Sequence, residues 1–191
     1  MVNEPIQGKK WEGLDQQLED ETFLDKIVVK EEEVANFPPE LIHDFQENYS
    51  DAQREMLYQK ILKMNYPEKI RLAIFGNREA RNLLIRNPVK MISLAILRNP
   101  RITENEILKY AQQKNLSEDV ILGIAKHQKW IKIYQVKLAI VSNPKTPLSV
   151  AINFLSHLHE KGLKSLSRDK YISSVLSRAA YQTLLKRNIK N

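Results

Sequence analysis

Three segments of this chain share one helical pattern, and this repeat constrains the fold more than any other feature of the sequence. Each segment reads x-Leu-Ala-Ile-x-x-Asn, and two of the three continue into proline. The aligned leucines are Leu72, Leu94 and Leu138, separated by 22 and 44 residues, or one period and two. Self-similarity at a fixed period is typical of solenoids, in which each unit buries its apolar face by stacking on its neighbours. The alternative is an ordinary helical core, where Leu-Ala-Ile triplets are also common.

Residues between and around the repeats favour helices throughout the second part of the chain. Only five glycines occur among 191 residues, fewer than β-rich folds with many tight turns usually need. Residues suited to helix N-caps precede the apolar runs at Asn77, Asn87, Thr103, Ser117 and Thr146. Proline follows two of them, at the favoured first helical position. We therefore predict an all-α fold of about eight to ten helices, each about ten to fourteen residues long.

Charge is divided along the chain, and the division predicts two regions. Residues 1–50 hold thirteen acidic and four basic residues, a net charge of −9. Residues 51–191 hold ten acidic and twenty-six basic residues, a net charge of +16. We expect an acidic, flexible N-terminal tail over 1–50 and a basic helical-repeat domain over 51–191. Such a division indicates either an anionic partner or contact between tail and body, unless the lysines simply keep the chain in solution.

The tail also contains helical signals. Four apolar residues are spaced for one face of a short amphipathic helix, namely Phe23, Leu24, Ile27 and Val28. Pro39 is placed to open a second helix that carries Leu41, Ile42 and Phe45. No apolar region typical of a signal peptide precedes them, and no apolar run approaches the length of a membrane span. We expect a cytoplasmic protein that does not cross a membrane.

Motifs for catalysis, metals and cofactors are missing from the sequence. There is no cysteine, and the chain has none of the familiar phosphate-binding loops or nucleophile elbows. His157 and His159 are two residues apart on an expected helix, so they cannot act as ligands in the usual i, i+4 arrangement. Trp130 and Tyr134 have the spacing of a core contact more than that of a platform for stacking substrates. We predict no enzyme activity, no metal, no cofactor and no small-molecule substrate.

Basic residues at equivalent repeat positions would align on one surface of a solenoid. Arg71 and Lys137 precede the Leu-Ala-Ile core, and Arg101 and Lys145 follow Asn-Pro. The full set of predicted binding residues is Arg71, Arg78, Arg81, Arg86, Arg98, Arg101, Lys129, Lys132, Lys137 and Lys145. If they share a face, that face attracts anions. The alternative is a solvated helix surface on which long basic side chains cover apolar groups.

The segments NPRITENEILKYA (99–111) and NPKTPLSVAINFL (143–155) resemble leucine-rich-repeat-variant and HEAT-like helical repeats. Residues 66–187 also resemble an uncharacterised bacterial family of this type, with its GNREAR, LIRNP, LRNPRIT and NPKTP stretches. The resemblance implies a right-handed, curved helical stack with an interaction surface, and it brings no catalytic residues. Some variant-repeat proteins hold an iron–sulfur cluster in a cysteine-rich segment, which this chain lacks.

Three hypotheses of function follow. The leading one is an interaction scaffold that binds a protein partner through a curved basic surface, with the acidic tail as partner contact or shield. The second is a nucleic-acid-binding repeat protein whose tail competes for the basic face. The third is an enzyme such as a helical-repeat base-excision glycosylase, which would need a carboxylate in a groove, for example Asp119 or Asp169.

Overall fold

Every regular element in the described part of the chain is a helix. The structure is a computed structural model that describes Val34 and residues 37–44 and 49–188. Eleven α-helices and one 3-10 helix occur there, with no strand among these residues, which confirms the all-α prediction. The helices are α1 (Pro39–Ile42), α2 (Asp51–Leu62), α3 (Tyr66–Phe75), α4 (Arg78–Leu84), α5 (Lys90–Ile96), α6 (Glu104–Gln112), α7 (Glu118–Lys126), the 3-10 helix (Trp130–Lys132), α8 (Tyr134–Ser142), α9 (Leu148–Leu155), α10 (Glu160–Arg168) and α11 (Ser174–Asn188).

The body begins earlier in the chain than the charge division predicts. Pro39 opens α1 as expected, and Phe37, Leu41 and Ile42 are buried in the main hydrophobic core. Residues 37–44 therefore pack with the body through these apolar side chains, and Glu40 also pairs with Lys60 of α2. The amphipathic helix predicted near Phe23, and the remainder of 1–33, lie outside the described residues, as does Phe45.

Several helices pack on the helix two positions away in the chain, while α8 packs also on α9 and α10 packs most extensively on α11. α3 packs on α5, α5 on α7, α6 on α8, and α9 on α11. The repeated motif supplies part of this core, since Ile74, Ile96 and Ile140 are all buried. A second hydrophobic cluster joins α8 to α11 through residues such as Leu155 and Leu163.

Helix N-termini follow the predicted caps at three of the five positions. The side chains of Asn77, Thr103 and Ser117 each accept a hydrogen bond from a backbone N–H in the first turn of α4, α6 and α7. Thr103 also forms the predicted capping box with Glu106.

The other two predicted caps, Asn87 and Thr146, each precede a proline and do not cap a helix. Asn87 accepts a hydrogen bond from the Val89 N–H at 3.0 Å, a turn that delays α5 to Lys90. The Thr146 hydroxyl donates to the Ile140 carbonyl, and α9 begins only at Leu148. The Asn87 side chain thus stabilises the turn that follows it and the Thr146 side chain the turn that precedes it, and neither caps the next helix.

The asparagine that ends each repeat motif is buried and bonds to the end of another helix. Asn77, Asn99 and Asn143 have exposed fractions of 0%, 2% and 5%. Each side-chain amide donates two hydrogen bonds to backbone carbonyls: Asn77 to Glu40 and His43 at 2.8 and 2.7 Å, Asn99 to Ala73 and Gly76 at 3.1 and 3.0 Å, and Asn143 to Ala111 and Gln113 at 2.7 and 2.9 Å. We call these three side chains the amide clamps.

Each amide clamp joins the ends of two neighbouring helices. The carbonyls lie at the C-terminal ends of α1, α3 and α6, where backbone acceptors lack partners in their own helix. The clamps themselves follow α3, α5 and α8. Two C-terminal ends therefore meet at every clamp, so the paired helices, α1 with α3, α3 with α5 and α6 with α8, run in the same direction.

Substitution of a clamp tests its contribution. We expect Asn99→Ala to lower the free energy of unfolding by about 2–4 kcal/mol, since each buried polar group left without a partner costs about 1–3 kcal/mol. The matched control is Asn105→Ala, because Asn105 is exposed and its side chain forms no hydrogen bond with the described residues; its effect should stay within about 0.5 kcal/mol. Urea unfolding followed by circular dichroism measures both, and equal effects would contradict the role of the clamp.

Candidate functional site: a groove across alternate helices

Two adjoining clefts lie along the even-numbered helices. A cleft of about 920 Å³ lies between α2, α4 and α6, and one of about 490 Å³ lies between α6 and α8. Leu108 and Gln112 of α6 line both clefts, so the two clefts adjoin at this helix. We call the combined depression the alternate-helix groove.

Ion pairs that join α2 to α4 and α4 to α6 line the larger cleft. Arg81 Nε and Nη2 on α4 each donate to one carboxylate oxygen of Glu106 on α6, at 2.9 Å, and both side chains are almost fully buried. Arg54 Nε on α2 donates to Glu79 Oε1 on α4 at 3.1 Å. A bidentate, buried pair of this kind fixes the two helices in one geometry. The carboxylates of Glu79 and Glu106 are thus already engaged by arginine.

Glu106 remains ionised in this setting. Burial alone would raise its pKa, but the hydrogen bonds and positive charge of Arg81, together with hydrogen bonds from Thr103, outweigh burial and hold the pKa of Glu106 below its usual range. A carboxylate held this way donates no proton near neutral pH.

The rim of the groove carries side-chain amides with unused hydrogen-bonding capacity. The Tyr110 hydroxyl donates to Asn82 Oδ1 at 3.3 Å, and burial raises the pKa of Tyr110, so this bond persists over the ordinary pH range. Asn82 Nδ2 has no partner within the described residues. The same holds for the exposed amide groups of Asn105, Gln112 and Gln135 within that part of the chain. These amides extend along the groove from α4 to α8.

Two predicted binding residues, Arg81 and Arg101, donate hydrogen bonds to backbone carbonyls at helix ends. Arg81 is buried against Glu106 and also donates to the Gly76 carbonyl at 3.0 Å. The Arg101 guanidinium donates to the carbonyls of Ile42, at 3.0 Å, and Phe75, at the ends of α1 and α3. Both residues line the larger cleft, but Arg81 is buried there and Arg101 is exposed.

Of the other predicted basic residues, most do not line the groove. Arg78 lines the groove, whereas Arg98 and Lys129 lie near His127 at the ends of α5 and α7. The remaining five line neither location. Two are half-buried, Arg71 and Lys137, and three are exposed, Arg86, Lys132 and Lys145. The sequence patterns did not predict the groove amides Asn82, Asn105, Gln112 and Gln135. A single polar residue on a helix surface is recognised as part of a groove only when it is known which helices pack side by side.

His127 follows α7 at the position that a clamp asparagine takes after its helix. α7 ends in Ile124-x-x-His127, parallel to the Ile-x-x-Asn of the three clamps. Its ring stacks on Trp130 with centroids 3.7 Å apart, and Nδ1 is buried without a hydrogen-bond partner in the described part of the chain. Burial, followed by the nearby charges of Lys129 and Arg98, lowers the pKa of His127. A pocket of about 260 Å³ lies beside it, lined in part by Lys126.

Residues considered for chemistry lie outside the groove. Trp130 is buried, as a core contact requires, and Tyr134 stacks on His159 with centroids 4.1 Å apart. Asp119 pairs with Lys90 at 3.1 Å, and Asp169 accepts a hydrogen bond from the Tyr171 N–H. Among the described residues, no cluster of three or more acidic or histidine side chains is arranged to hold a metal ion.

Comparison with known proteins adds no relative. No family model, no curated protein and no solved structure matches the chain. Within the described ranges, none of the helices combines the length and apolarity that crossing a membrane requires. The resemblance to HEAT-like and variant repeats therefore depends on the short motifs alone.

Breaking the buried ion pair should destabilise the fold strongly. We expect Arg81→Met to lower the free energy of unfolding by about 3–5 kcal/mol, since it leaves the buried Glu106 charge without its partner. The double variant Arg81→Met/Glu106→Gln keeps the cap and removes the charge, so it should recover part of that loss. The control Lys60→Met breaks a half-exposed pair with Glu40 and should cost at most about 1 kcal/mol. A double variant no more stable than Arg81→Met would refute this account.

Stability should depend on the protonation of His127. Because the folded pKa lies below the ordinary value of 6.5, the unfolded chain binds this proton more readily. The contribution of neutral His127 to the free energy of unfolding is therefore present above pH 6.5 and is lost as pH falls through the folded pKa. We expect His127→Asn to reduce the drop in Tm between pH 7.5 and pH 5, with His157→Asn, an exposed histidine, as the control that leaves the drop unchanged. An identical drop in wild type and His127→Asn would rule this out.

Proposed function

We propose that this protein is a non-catalytic interaction scaffold whose helical-repeat body presents a basic groove to a protein partner. The observation that supports this most is the set of amide clamps, which join helices of the same direction two positions apart. Residues of α2, α4, α6 and α8 line the two clefts in turn. Stacked helical pairs commonly present extended binding surfaces of this kind. The right-handed curvature is a prediction of the repeat resemblance.

The chemistry of the groove favours binding over catalysis. Its two buried acids, Glu79 and Glu106, are each paired with an arginine that balances their negative charge. The groups with unused capacity are side-chain amides and cations, which bind and orient ligands but are poor nucleophiles. The acidic N-terminal tail is the proposed partner contact or shield of the basic surface, because its charge is opposite.

A second candidate, nucleic-acid binding, has one observation in its favour. Arg98 and Lys126 line the pocket at His127, and Lys129 lies close enough to affect the same ring. A cluster of this sign would attract phosphate without reading sequence. It occupies a different place from the alternate-helix groove, so the two candidates can be separated by substitution.

The test is affinity purification with full-length protein, with and without nuclease, beside binding of labelled DNA and RNA at 50 and 200 mM salt. We expect a protein partner that is retained after nuclease treatment, and nucleic-acid binding that is weak at both salt concentrations. The variant Lys126→Ala/Lys129→Ala should leave partner capture unchanged. Tight nucleic-acid binding that falls steeply with salt, with no protein retained after nuclease, would replace the scaffold by the second candidate.

A further inference from the structure

We infer that the alternate-helix groove binds an extended, acidic peptide segment of a partner protein. This inference depends on the proposed scaffold function and assigns its binding site and the class of its partner. It follows from three properties of the groove: the chemistry of its amides, its length across the helices and the balance of its charges.

The side-chain amides match the hydrogen-bonding groups of a peptide backbone. An amide side chain offers N–H donors and a carbonyl acceptor, the same pair that each residue of an extended chain presents. Asn82 on α4, Asn105 and Gln112 on α6, and Gln135 on α8 line the groove in this order of helices. Bonds to backbone groups hold a segment of any sequence, so these residues supply affinity and direction rather than specificity.

The length of the groove sets the length of the segment. Packed helices lie about 8–10 Å apart, so the three steps from α2 to α8 cover about 25–30 Å. An extended chain rises about 3.3 Å per residue, which gives a segment of roughly eight or nine residues. The cleft between α6 and α8 also contains Leu108, Leu138 and Ala139, an apolar surface on which one or two apolar side chains of the segment can pack.

The charge of the groove selects an acidic segment. Its two buried glutamates already pair with arginine, so they leave little negative charge to attract a cation. Arg78, Lys109 and Lys114 also line the groove, and none of the three side chains forms an ion pair with the described residues. Lys114 Nζ lies over the Tyr171 ring at 5.4 Å from its centroid. Asp44, at the α1 end, is the one lining acid of the described residues without such a pair.

To test the inference, a displayed library of random nine-residue peptides is selected for binding to the full-length protein. The affinity of each enriched peptide is then measured by fluorescence anisotropy. We expect the enriched sequences to hold more acidic than basic residues. They should bind the variant Asn105→Ala/Lys109→Ala/Gln112→Ala at least about tenfold more weakly, a loss of about 1.4 kcal/mol. Since all three substituted residues are exposed, circular dichroism should show an unchanged fold. The matched control Lys132→Ala, exposed and outside the groove, should bind as wild type does.

The inference is overturned if no peptide is enriched above background, if the enriched peptides have no acidic excess, or if they bind the groove variant as tightly as wild type. Equal binding to the groove variant leaves the scaffold function intact and moves its site elsewhere, whereas failure of partner capture removes the scaffold function itself. Enrichment that appears only after Glu31, Glu32 and Glu33 are changed to glutamine would make the acidic tail of this chain the occupant, and would overturn the assignment to a partner protein.

Discussion

The side-chain amide of asparagine is the group on which the packing order of this protein depends. It combines two N–H donors with one acceptor on a short stem, so a single residue can bond two carbonyls at the end of a neighbouring helix and still accept a backbone N–H from its own turn. Asn99 does this with Ala73, Gly76 and the Arg101 N–H. Asn143 repeats the arrangement with Ala111, Gln113 and the Lys145 N–H.

Residues that replace asparagine show what the amide provides. His127 occupies the corresponding position after α7, and its Nδ1 is left without a partner in the described part of the chain. Asp169 follows α10 in the same way, with its N–H bonded to the Leu166 carbonyl and its carboxylate to the Tyr171 N–H. Aspartate has no donor and therefore cannot bond the carbonyls of another helix. No amide clamp follows α10, and this helix packs on α11.

Gly76 couples the clamps to the groove. Its carbonyl accepts from both Asn99 and Arg81, so the bond that joins α5 to α3 and the residue that pairs with Glu106 meet at one backbone group. A Cβ at this position would come within 2.4 Å of the Leu72 carbonyl oxygen and 2.7 Å of Ala80 Cβ. Only glycine allows this close approach. Helix spacing and groove geometry are consequently set by the same few residues.

Much of the fold was predictable from sequence, and the site was not. Periodicity and capping residues gave the all-α class and the starts of α4, α6 and α7, because these signals are local. The motif asparagines were predicted as turn residues, but their burial and their donation to distant carbonyls depend on which helices pack together. Arg81 shows the same limit, because its role requires Glu106, 25 residues later in the chain. The groove amides depend wholly on packing order, and the repeat resemblance gave no residues for them.

Hydrogen exchange of the side-chain amides, measured by NMR on the folded protein, tests the central claim most directly. We predict slow exchange for the amide protons of Asn77, Asn99 and Asn143, because each is buried and bonded to two carbonyls. The amides of Asn105, Gln112 and Gln135 should exchange at rates near those of exposed side chains. Fast exchange at all six residues would mean that the motif asparagines do not join the helices, and would contradict the account.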